Sequence, residues 1–258
     1  MIKNLMCAFS ISMCLASQIV LGCDVNAPPD TSPLNTDPNL HGVAVFLPLI
    51  LEQADQGPFA DLIKVINKYY PEGKISITIK PVKRIYWDII NRRADFGMPT
   101  MKLNELQEAT LPTQFSHEAL GKVTFVVYSN KNNIIKKTDL FDNQKATNLN
   151  IEAPPVNWGV PVHAVIALEQ SMKKLNAGHL DAVIWAQEEA DYEINKLHLN
   201  NIHREYFNDY PDMFFMSCSK RGDFVNQALS KAIKAAALSG ELQKAHDKVH
   251  RSYVDWQP

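Results

Sequence analysis

The chain has 258 residues, of which 46% are hydrophobic and 21% are charged, a balance typical of a folded globular protein and not of a disordered one. Its 26 lysines and arginines nearly match its 28 aspartates and glutamates, so the formal net charge is −2. Because a surface that binds nucleic acid carries a strong basic excess, no nucleic-acid partner is expected. The length allows one or two domains.

The first 22 residues have the pattern of a secretory signal peptide. A positive charge at Lys3 is followed by an apolar stretch that ends at the small residue Gly22. The run Val20-Leu21-Gly22-Cys23 resembles the lipobox of bacterial lipoproteins, with Leu21 where that motif usually has a small residue. Two outcomes stay open: a lipid anchor at Cys23, or simple cleavage near Gly22. Either way an exported, periplasmic protein is expected, tethered to a membrane at most by its start.

The cysteines predict no disulfide. Cys7 and Cys14 lie within the predicted signal peptide, and Cys23 is the possible lipid site, which leaves Cys218 alone. Since Cys218 ends the apolar run 213–218, it is expected to be a buried, unreactive thiol.

The first part of the chain after the signal alternates strands and helices. Residues 23–42, rich in proline and aspartate, predict an exposed leader or tether. Isoleucines alternate with polar residues over 75–79, the period of a strand, whereas apolar residues recur at helical spacing over 59–69. The expected elements are a strand at 43–47, a helix at 59–69, a strand at 75–79, a helix at 84–92, a short strand at 95–98 and a strand at 122–128.

The rest of the chain repeats this alternation. The expected elements are a helix at 165–175, a strand at 181–185, a helix at 188–197, a strand at 212–218, and helices at 225–236 and 242–249. Strands alternating with helices of about ten residues indicate an α/β fold with largely parallel sheets.

One internal echo predicts two lobes and the position of a site. Residues 89–97 and 175–183 share an order: a helix end, a polar turn, an aspartate and a short apolar strand. Ligands of open α/β sheets bind at the carboxyl ends of the strands. Those ends are Pro99 and Thr100 in one unit and Trp185 to Gln187 in the other, so the cleft between the lobes is the expected site.

The stretches 57–62, 81–99 and 178–201 resemble the type-2 periplasmic solute-binding proteins of ABC importers, particularly the group of amino-acid binders. The resemblance covers about 43–250 and is strongest over 180–191. It implies two α/β lobes joined by two crossovers and closing by a hinge. Lobe 1 would comprise 43–128 and 207–258, and lobe 2 would comprise 129–206. It further implies a small polar solute, an ABC permease in the inner membrane as partner, no cofactor and no catalysis.

One position departs from that family. Amino-acid binders usually have an arginine there whose guanidinium holds the ligand carboxylate by two parallel hydrogen bonds. Asn104 occupies this position, and Lys102 offers only a point charge. The ligand is therefore not identified by the sequence.

The candidate ligand-binding residues each have a structural alternative. A surface role competes at Arg84, turn formation at Pro99 and Thr100, packing at Trp185, and a favourable place in the helix dipole at Gln187 and Glu188. Trp158 is expected either in a mobile loop that borders the cleft or in packing beside the hinge. Glu52, just beyond the first strand, is a further candidate for the same cleft.

Metal binding and catalysis are not expected. His246 and His250 lie one helical turn apart, as in zinc hydrolases, but the sequence offers no evident third ligand. No motif of a nucleophile or a nucleotide site is present. Two alternatives to a transport protein remain: a sensor for a separate signalling partner, or an enzyme on the same scaffold acting through Glu188 or His163.

Overall fold

The strands of the chain form one mixed sheet flanked by helices. The computed structural model describes residues 23, 30–31, 33–102, 112–165 and 167–253. The strands are β1 (Leu40–Val45), β2 (Ile75–Lys80), β3 (Phe96–Met101), β4 (Thr113–Phe115), β5 (Gly121–Asn130), β6 (Ile151–Ala153), β7 (His163–Ala164), β8 (Ala182–Ala186) and β9 (Ile202–Ser217). The helices are α1 (Pro58–Lys68), α2 (Val82–Ile90), α3 (Lys137–Leu140), α4 (Asn143–Ala146), α5 (Leu168–Asn176), α6 (Gln187–Lys196), α7 (Lys220–Leu238) and α8 (Glu241–Val249).

The sheet is parallel at both ends and antiparallel in the middle. Its strand order is β2-β1-β3-β9-β5-β8-β6-β7, and β4 also pairs with β9. Strands β2, β1 and β3 are mutually parallel, as are β8, β6 and β7, whereas β9 runs antiparallel to β3 and β5. The expectation of largely parallel sheets therefore holds only within each outer half.

Strand β9 belongs to both halves of the molecule. The first half contains β1 to β4 with α1, α2, α7 and α8, and the second half contains β5 to β8 with α3 to α6. Its 16 residues pair first with β5 and then with β3 and β4. Only its final part, 212–218, was predicted, because 202–211 is mostly polar and ends in a proline. Its neighbours bury this segment only in part, so it lacks the apolar alternation that marks a strand.

The first half packs helices on both faces of β1 and β3. Helices α1, α7 and α8 share one apolar cluster with β1, which includes Phe59, Leu62 and Ile66 at helical spacing. Helix α2 covers the opposite face through Ile85 and Ile89. Every helix predicted for this half is present, because each carries a continuous apolar stripe.

The second half is built on alternate side chains of β5 and β8. Phe125 and Val127 face one apolar cluster, while Val126 and Tyr128 face another beneath α5 and α6. Leu120 still belongs to the apolar cluster of the first half, whereas Val123 belongs to a cluster of the second half. The chain therefore passes between the two cores several residues before the crossover expected near 128–129. The two lobe boundaries themselves remain predictions.

A disulfide bond corrects three expectations about the cysteines. Cys23 is bonded to Cys218, across a sequence separation of 195 residues. Cys218 is therefore not a free thiol, and the chain does contain a disulfide. A sulfur bonded to another sulfur has no valence left for a thioether-linked lipid, so this structure is incompatible with lipidation at Cys23. No local pattern predicts this pair, because its two members lie 195 residues apart.

Residues 31 and 33–39 of the expected leader are exposed, whereas its last residues, Leu40 to Gly42, already belong to β1. Arg221 ties the exposed part to the body. The Arg221 guanidinium contacts both carboxylate oxygens of Asp95, at 2.8 and 3.0 Å. It also donates to main-chain oxygens of the leader, those of Asn35, Asp37 and Asn39. One side chain thus joins the start of α7, the turn before β3 and the leader.

Among the described residues, none of the helices combines the length and the apolar character that crossing a membrane requires.

Candidate functional site

The strand register brings the carboxyl ends of the two parallel halves towards each other. Met101, at the end of β3, pairs with Asp212 of β9. Ala186, at the end of β8, pairs with Phe125, which in turn pairs with Asn208 of β9. The two ends therefore lie four residues apart along β9 and approach it from opposite sides. This is the edge at which open α/β sheets hold ligands.

A groove lies between the halves near this edge. Its first-half wall is apolar and comes from the turn after β1 and the start of α1. Its second-half wall is polar and comes from the start of α6, and the end of α8 closes one side. The lining residues are Leu49, Ile50, Pro58, Gln187, Glu188, Lys248, Val249 and Arg251.

The first-half candidates lie at or near the strand ends. Pro99 and Thr100 are half-buried at the end of β3, and the Tyr86 hydroxyl is hydrogen-bonded to Thr100. Arg84 is exposed, with its guanidinium 4.2 Å from the centre of the Trp87 ring. These positions leave Thr100 as the first-half candidate nearest to the facing strand ends.

Two first-half candidates are engaged by neighbours in their own segments. Arg84 Nε lies 3.5 Å from Asp88 Oδ1, one turn further along α2. Glu52 is exposed, and its carboxylate accepts a hydrogen bond of 2.9 Å from the main-chain N–H of Leu49. Neither contact requires a ligand, so the surface role weighed from the sequence accounts for Arg84, and ligand contact by Glu52 stays a prediction.

Trp158 lies in the loop after β6, and its side chain is buried. It is 6% exposed, and its indole N–H donates to the main-chain oxygen of Pro154 at 2.8 Å. Its ring packs against Phe125, Phe207 and Tyr210 with centroids 5.1 to 5.8 Å apart. Of the two alternatives for Trp158, these contacts favour packing.

Trp185 is half-buried on β8 and engages the helix that follows. Its indole N–H donates to Glu189 Oε2 at 2.9 Å. Burial raises the pKa of the Glu189 carboxyl to about 7, against the hydrogen bond from Trp185, which acts to lower it. The ring touches both apolar clusters of the second half. Its predicted stacking on a ligand stays a prediction.

Gln187 is buried within a polar network and does not have a free amide. Its side-chain N–H donates to the main-chain oxygen of Arg251, and its oxygen accepts from Arg204 at 3.2 Å. Arg204 also pairs with Asp191 at 2.6 Å, and the Tyr128 hydroxyl donates to Asp191 at 2.7 Å. This network, which sequence reasoning missed, ties β5, β9, α6 and the C-terminal segment together.

Glu188 contacts the C-terminal segment from the start of α6. One of its oxygens accepts from the main-chain N–H of Arg251 at 2.9 Å, and the other lies 3.3 Å from His250 Nδ1. Burial opposes ionisation of this carboxyl, but the hydrogen bond and charge of His250 hold its pKa below the ordinary value.

His250 lies between two carboxylates, and its Nε2 is 3.5 Å from Asp212 Oδ2. Burial disfavours a charged imidazole, yet the contacts with Asp212 and Glu188 outweigh burial and raise the pKa of His250 to about 10. Burial and the charge of His250 lower the pKa of His246. His250 thereby links Glu188 of the second half to β9.

Asp212 supplies what the sequence lacked beside the histidine pair. The spacing of His246 and His250 was visible, but Asp212 lies more than thirty residues earlier, at the start of the predicted strand segment 212–218. Only the fold brings its carboxylate to the imidazoles.

The two positions discussed for a ligand carboxylate lie after β3. Lys102 is half-buried, and its main-chain N–H donates to the main-chain oxygen of Pro211, whereas Asn104 lies outside the described residues.

Comparisons with known proteins identify the fold. No protein-family model matches the chain, and no curated protein matches its sequence. The GluR0 ligand-binding core from Nostoc punctiforme, in complex with L-glutamate, is similar with a TM-score of 0.61 and 12% identity, over 81% of this chain and 98% of that one. A putative L-cystine ABC transporter from Listeria monocytogenes is similar with a TM-score of 0.63 and 12% identity, over 85% of this chain and 98% of that one.

A third similar structure belongs to a signalling protein. It is a histidine kinase sensor domain described as similar to periplasmic binding proteins, with a TM-score of 0.64 and 10% identity, over 81% of this chain and 95% of that one. At such identities the comparisons establish the architecture. The chain has the two-lobed α/β fold of periplasmic-binding-protein-like domains, as the resemblance in the sequence predicted.

Proposed function

We propose that this protein is an exported receptor that captures a small polar solute between its two halves and delivers it to an ABC-type permease. The facing carboxyl ends of β3 and β8, with a groove between the halves beside them, carry this proposal. A solute that touches both halves makes all its contacts only when they approach each other, and so it favours closure.

The test is a titration of the purified protein with common L-amino acids and other small polar metabolites. A bound solute is expected to raise the melting temperature in a dose-dependent way, to change tryptophan fluorescence and to reduce the radius of gyration in solution scattering. If no solute produces saturable binding and compaction, the proposal is wrong.

A bulky residue at a strand end gives a matched control. Thr100→Trp is expected to abolish solute binding, since an indole at the end of β3 occupies space between the facing strand ends. Leu238→Trp places the same ring at a position that is 83% exposed at the end of α7, and should bind as the wild type does. Equal loss of binding in both variants would contradict the location of the site.

The disulfide supports export. Disulfides persist in oxidising compartments, such as the bacterial periplasm, and are rare in the cytosol. Together with the signal-like start, the Cys23–Cys218 bond favours a periplasmic protein that carries no lipid on Cys23. Mass spectrometry of the exported chain, with and without reductant, distinguishes this bond from a thioether lipid.

A sensor is the second candidate, because one similar structure is a kinase sensor domain. A receptor for import is expected to bind a permease and to be required for solute uptake by cells. A sensor would instead be recovered with a signalling partner, and its deletion would leave uptake intact.

We propose no enzymatic role. Glu188, the carboxylate suggested for catalysis, is engaged by His250 and Arg251, and His163 is exposed on β7. Turnover of a bound compound that Glu188→Gln or His163→Gln abolishes would overturn this part of the proposal.

A further inference from the structure

Three side chains of the types that bind metal ions meet where β9 passes from one half to the other. His246 and His250 lie one turn apart on α8, and Asp212 faces them from β9. Their candidate ligand atoms all lie within 4.8 Å of one another. His250 Nε2 and Asp212 Oδ2 are 3.5 Å apart, close to the roughly 3.4 Å between ligands of a tetrahedral zinc ion with bonds of about 2.1 Å.

The cluster is buried and short of hydrogen bonds. Asp212 is 1% exposed and His246 is 4% exposed. Within the described part of the chain, neither Asp212 carboxylate oxygen, nor His246 Nε2, nor either ring nitrogen of His250 makes a hydrogen bond of normal geometry. A buried polar atom without a partner loses its hydration and gains no bond in return. Ligation of one shared ion would satisfy Asp212, His246 Nε2 and His250 Nε2 together, while His250 Nδ1 faces Glu188.

The residue next to the cluster, Glu188, also fits a bound ion. Glu188 Oε2 lies 3.3 Å from His250 Nδ1, which leaves Nε2 directed towards Asp212. A carboxylate that accepts the second ring N–H is the usual partner of a metal-binding histidine.

A glycine leaves room for the His246 ring. Gly121 pairs with Asp212 across the sheet, and a side chain there would place its Cβ only 2.3 Å from His246 Nε2. The imidazole therefore lies against bare backbone, beside the carboxylate that would share the ion with it.

We propose that Asp212, His246 and His250 bind one divalent transition-metal ion, with Zn²⁺ as the best match, and that Glu188 orients His250. Two imidazoles and a carboxylate are typical zinc ligands, and three protein ligands leave one position for water. The two carboxylates of the cluster balance the charge of a divalent ion when both imidazoles are neutral. The site lies beside the groove and does not depend on which solute, if any, the groove holds.

The site would connect elements of both halves. His246 and His250 end α8 of the first half, Asp212 lies in the strand that both halves share, and Glu188 begins α6 of the second half. A bound ion therefore holds α8 against β9 and fixes His250 beside Glu188, which lines the groove.

The test uses the full exported chain without a histidine tag, dialysed against EDTA and titrated with Zn²⁺ in competition with a chromophoric chelator. We expect one ion per chain, with a dissociation constant on the order of 1 µM or tighter, and a higher melting temperature. Co²⁺ in the same site is expected to give the visible absorption of tetrahedral coordination.

Variants separate ligands from bystanders. His246→Gln and His250→Gln are expected to lose stoichiometric binding, while Glu188→Gln keeps one ion and weakens its affinity by about 10- to 100-fold. His163→Gln, an exposed histidine on β7, should bind as the wild type does. Circular dichroism checks that each variant is folded.

The alternative to a metal ion is a protonated His250 that forms ion pairs with both Asp212 and Glu188. Absence of saturable Zn²⁺ binding to the wild-type chain, or equal binding in the wild type and the two histidine variants, would overturn the metal site and leave this protonated cluster.

Discussion

At the scale of single residues, Arg221 joins three separate segments of the chain through the contacts of one side chain. Replacing it with alanine is expected to lower the free energy of unfolding by about 2 kcal/mol, since Asp95 and three leader carbonyls lose a charged donor. Urea denaturation followed by circular dichroism measures this change. Arg84→Ala removes an arginine whose side chain is 52% exposed, and should cost less than about 0.5 kcal/mol. Equal losses would contradict the assigned role.

Glu189 gives the stability a predictable dependence on pH. Its pKa is about 7 in the folded chain and 4.5 ordinarily, so the folded state binds the proton more tightly. The free energy of unfolding should therefore fall as pH rises from about 4.5 to about 7 on account of this residue. Glu189→Gln stays uncharged and accepts the same bond from Trp185. Relative to the wild type, it is expected to be more stable at about pH 8 than at about pH 5.

Urea unfolding of both chains at the two pH values tests this, in metal-free buffer. Glu188 and His250 also lie near the carboxyl and titrate in both proteins, so only the difference between the chains is diagnostic. A difference that does not change with pH would show that Glu189 is not protonated in the folded state.

The sequence predicted where candidate residues lie in the fold better than it predicted what their side chains contact. Thr100 and Pro99 were placed correctly at a strand end, because the short strand before them was legible from its apolar run. Gln187 and Trp158 were candidates for ligand contact, each with a structural alternative, and their polar atoms bind Arg204, Arg251 and Pro154. Those partners come from distant segments, and no local pattern in the chain reveals them.

At the scale of elements, Trp158 and its neighbouring rings hold the loop after β6 against the sheet. Trp158→Ala is expected to cost about 3–5 kcal/mol of stability, because it empties a buried indole site, and Trp158→Phe should cost clearly less. Urea denaturation measures both. A loss below about 1 kcal/mol for the alanine variant would return Trp158 to the mobile loop that the sequence suggested.

The Cys23–Cys218 bond fixes the leader to the junction of β9 and α7. Its removal by Cys23→Ser with Cys218→Ser is expected to lower the free energy of unfolding by about 2–5 kcal/mol, since the cross-link restricts the unfolded chain over a long loop. Reductant should destabilise the wild type by a similar amount and leave the double variant unchanged. Sensitivity of the variant to reductant would contradict this assignment.

Helices were easier to predict than strands for a physical reason. The stripes of α1, α2 and α7 repeat over several turns, so their period is visible in the sequence alone. Strand β9 owes its length to hydrogen bonds with β5, which fix the backbone whatever the side chains are. Polar residues therefore persist through 202–211, and the strand could not be recognised without its partner.

At the scale of the whole molecule, β5 and β9 make the two halves a single folding unit. Each half uses β9 as a sheet neighbour, so loss of either half exposes the backbone of this strand. We expect one unfolding transition, with coincident curves from circular dichroism and tryptophan fluorescence. Two separated transitions would show that the halves fold independently despite the shared strand.

The disulfide also decides how the molecule would bear a mechanical load. Tension applied ahead of Cys23 would pass through the sulfur bridge to Cys218 and enter the body between β9 and α7. The load would therefore reach the body without passing along β1, which begins at Leu40. A chain held by its N-terminal end would thus be suspended from its central strand, and the first strand of its sheet would carry none of the pull.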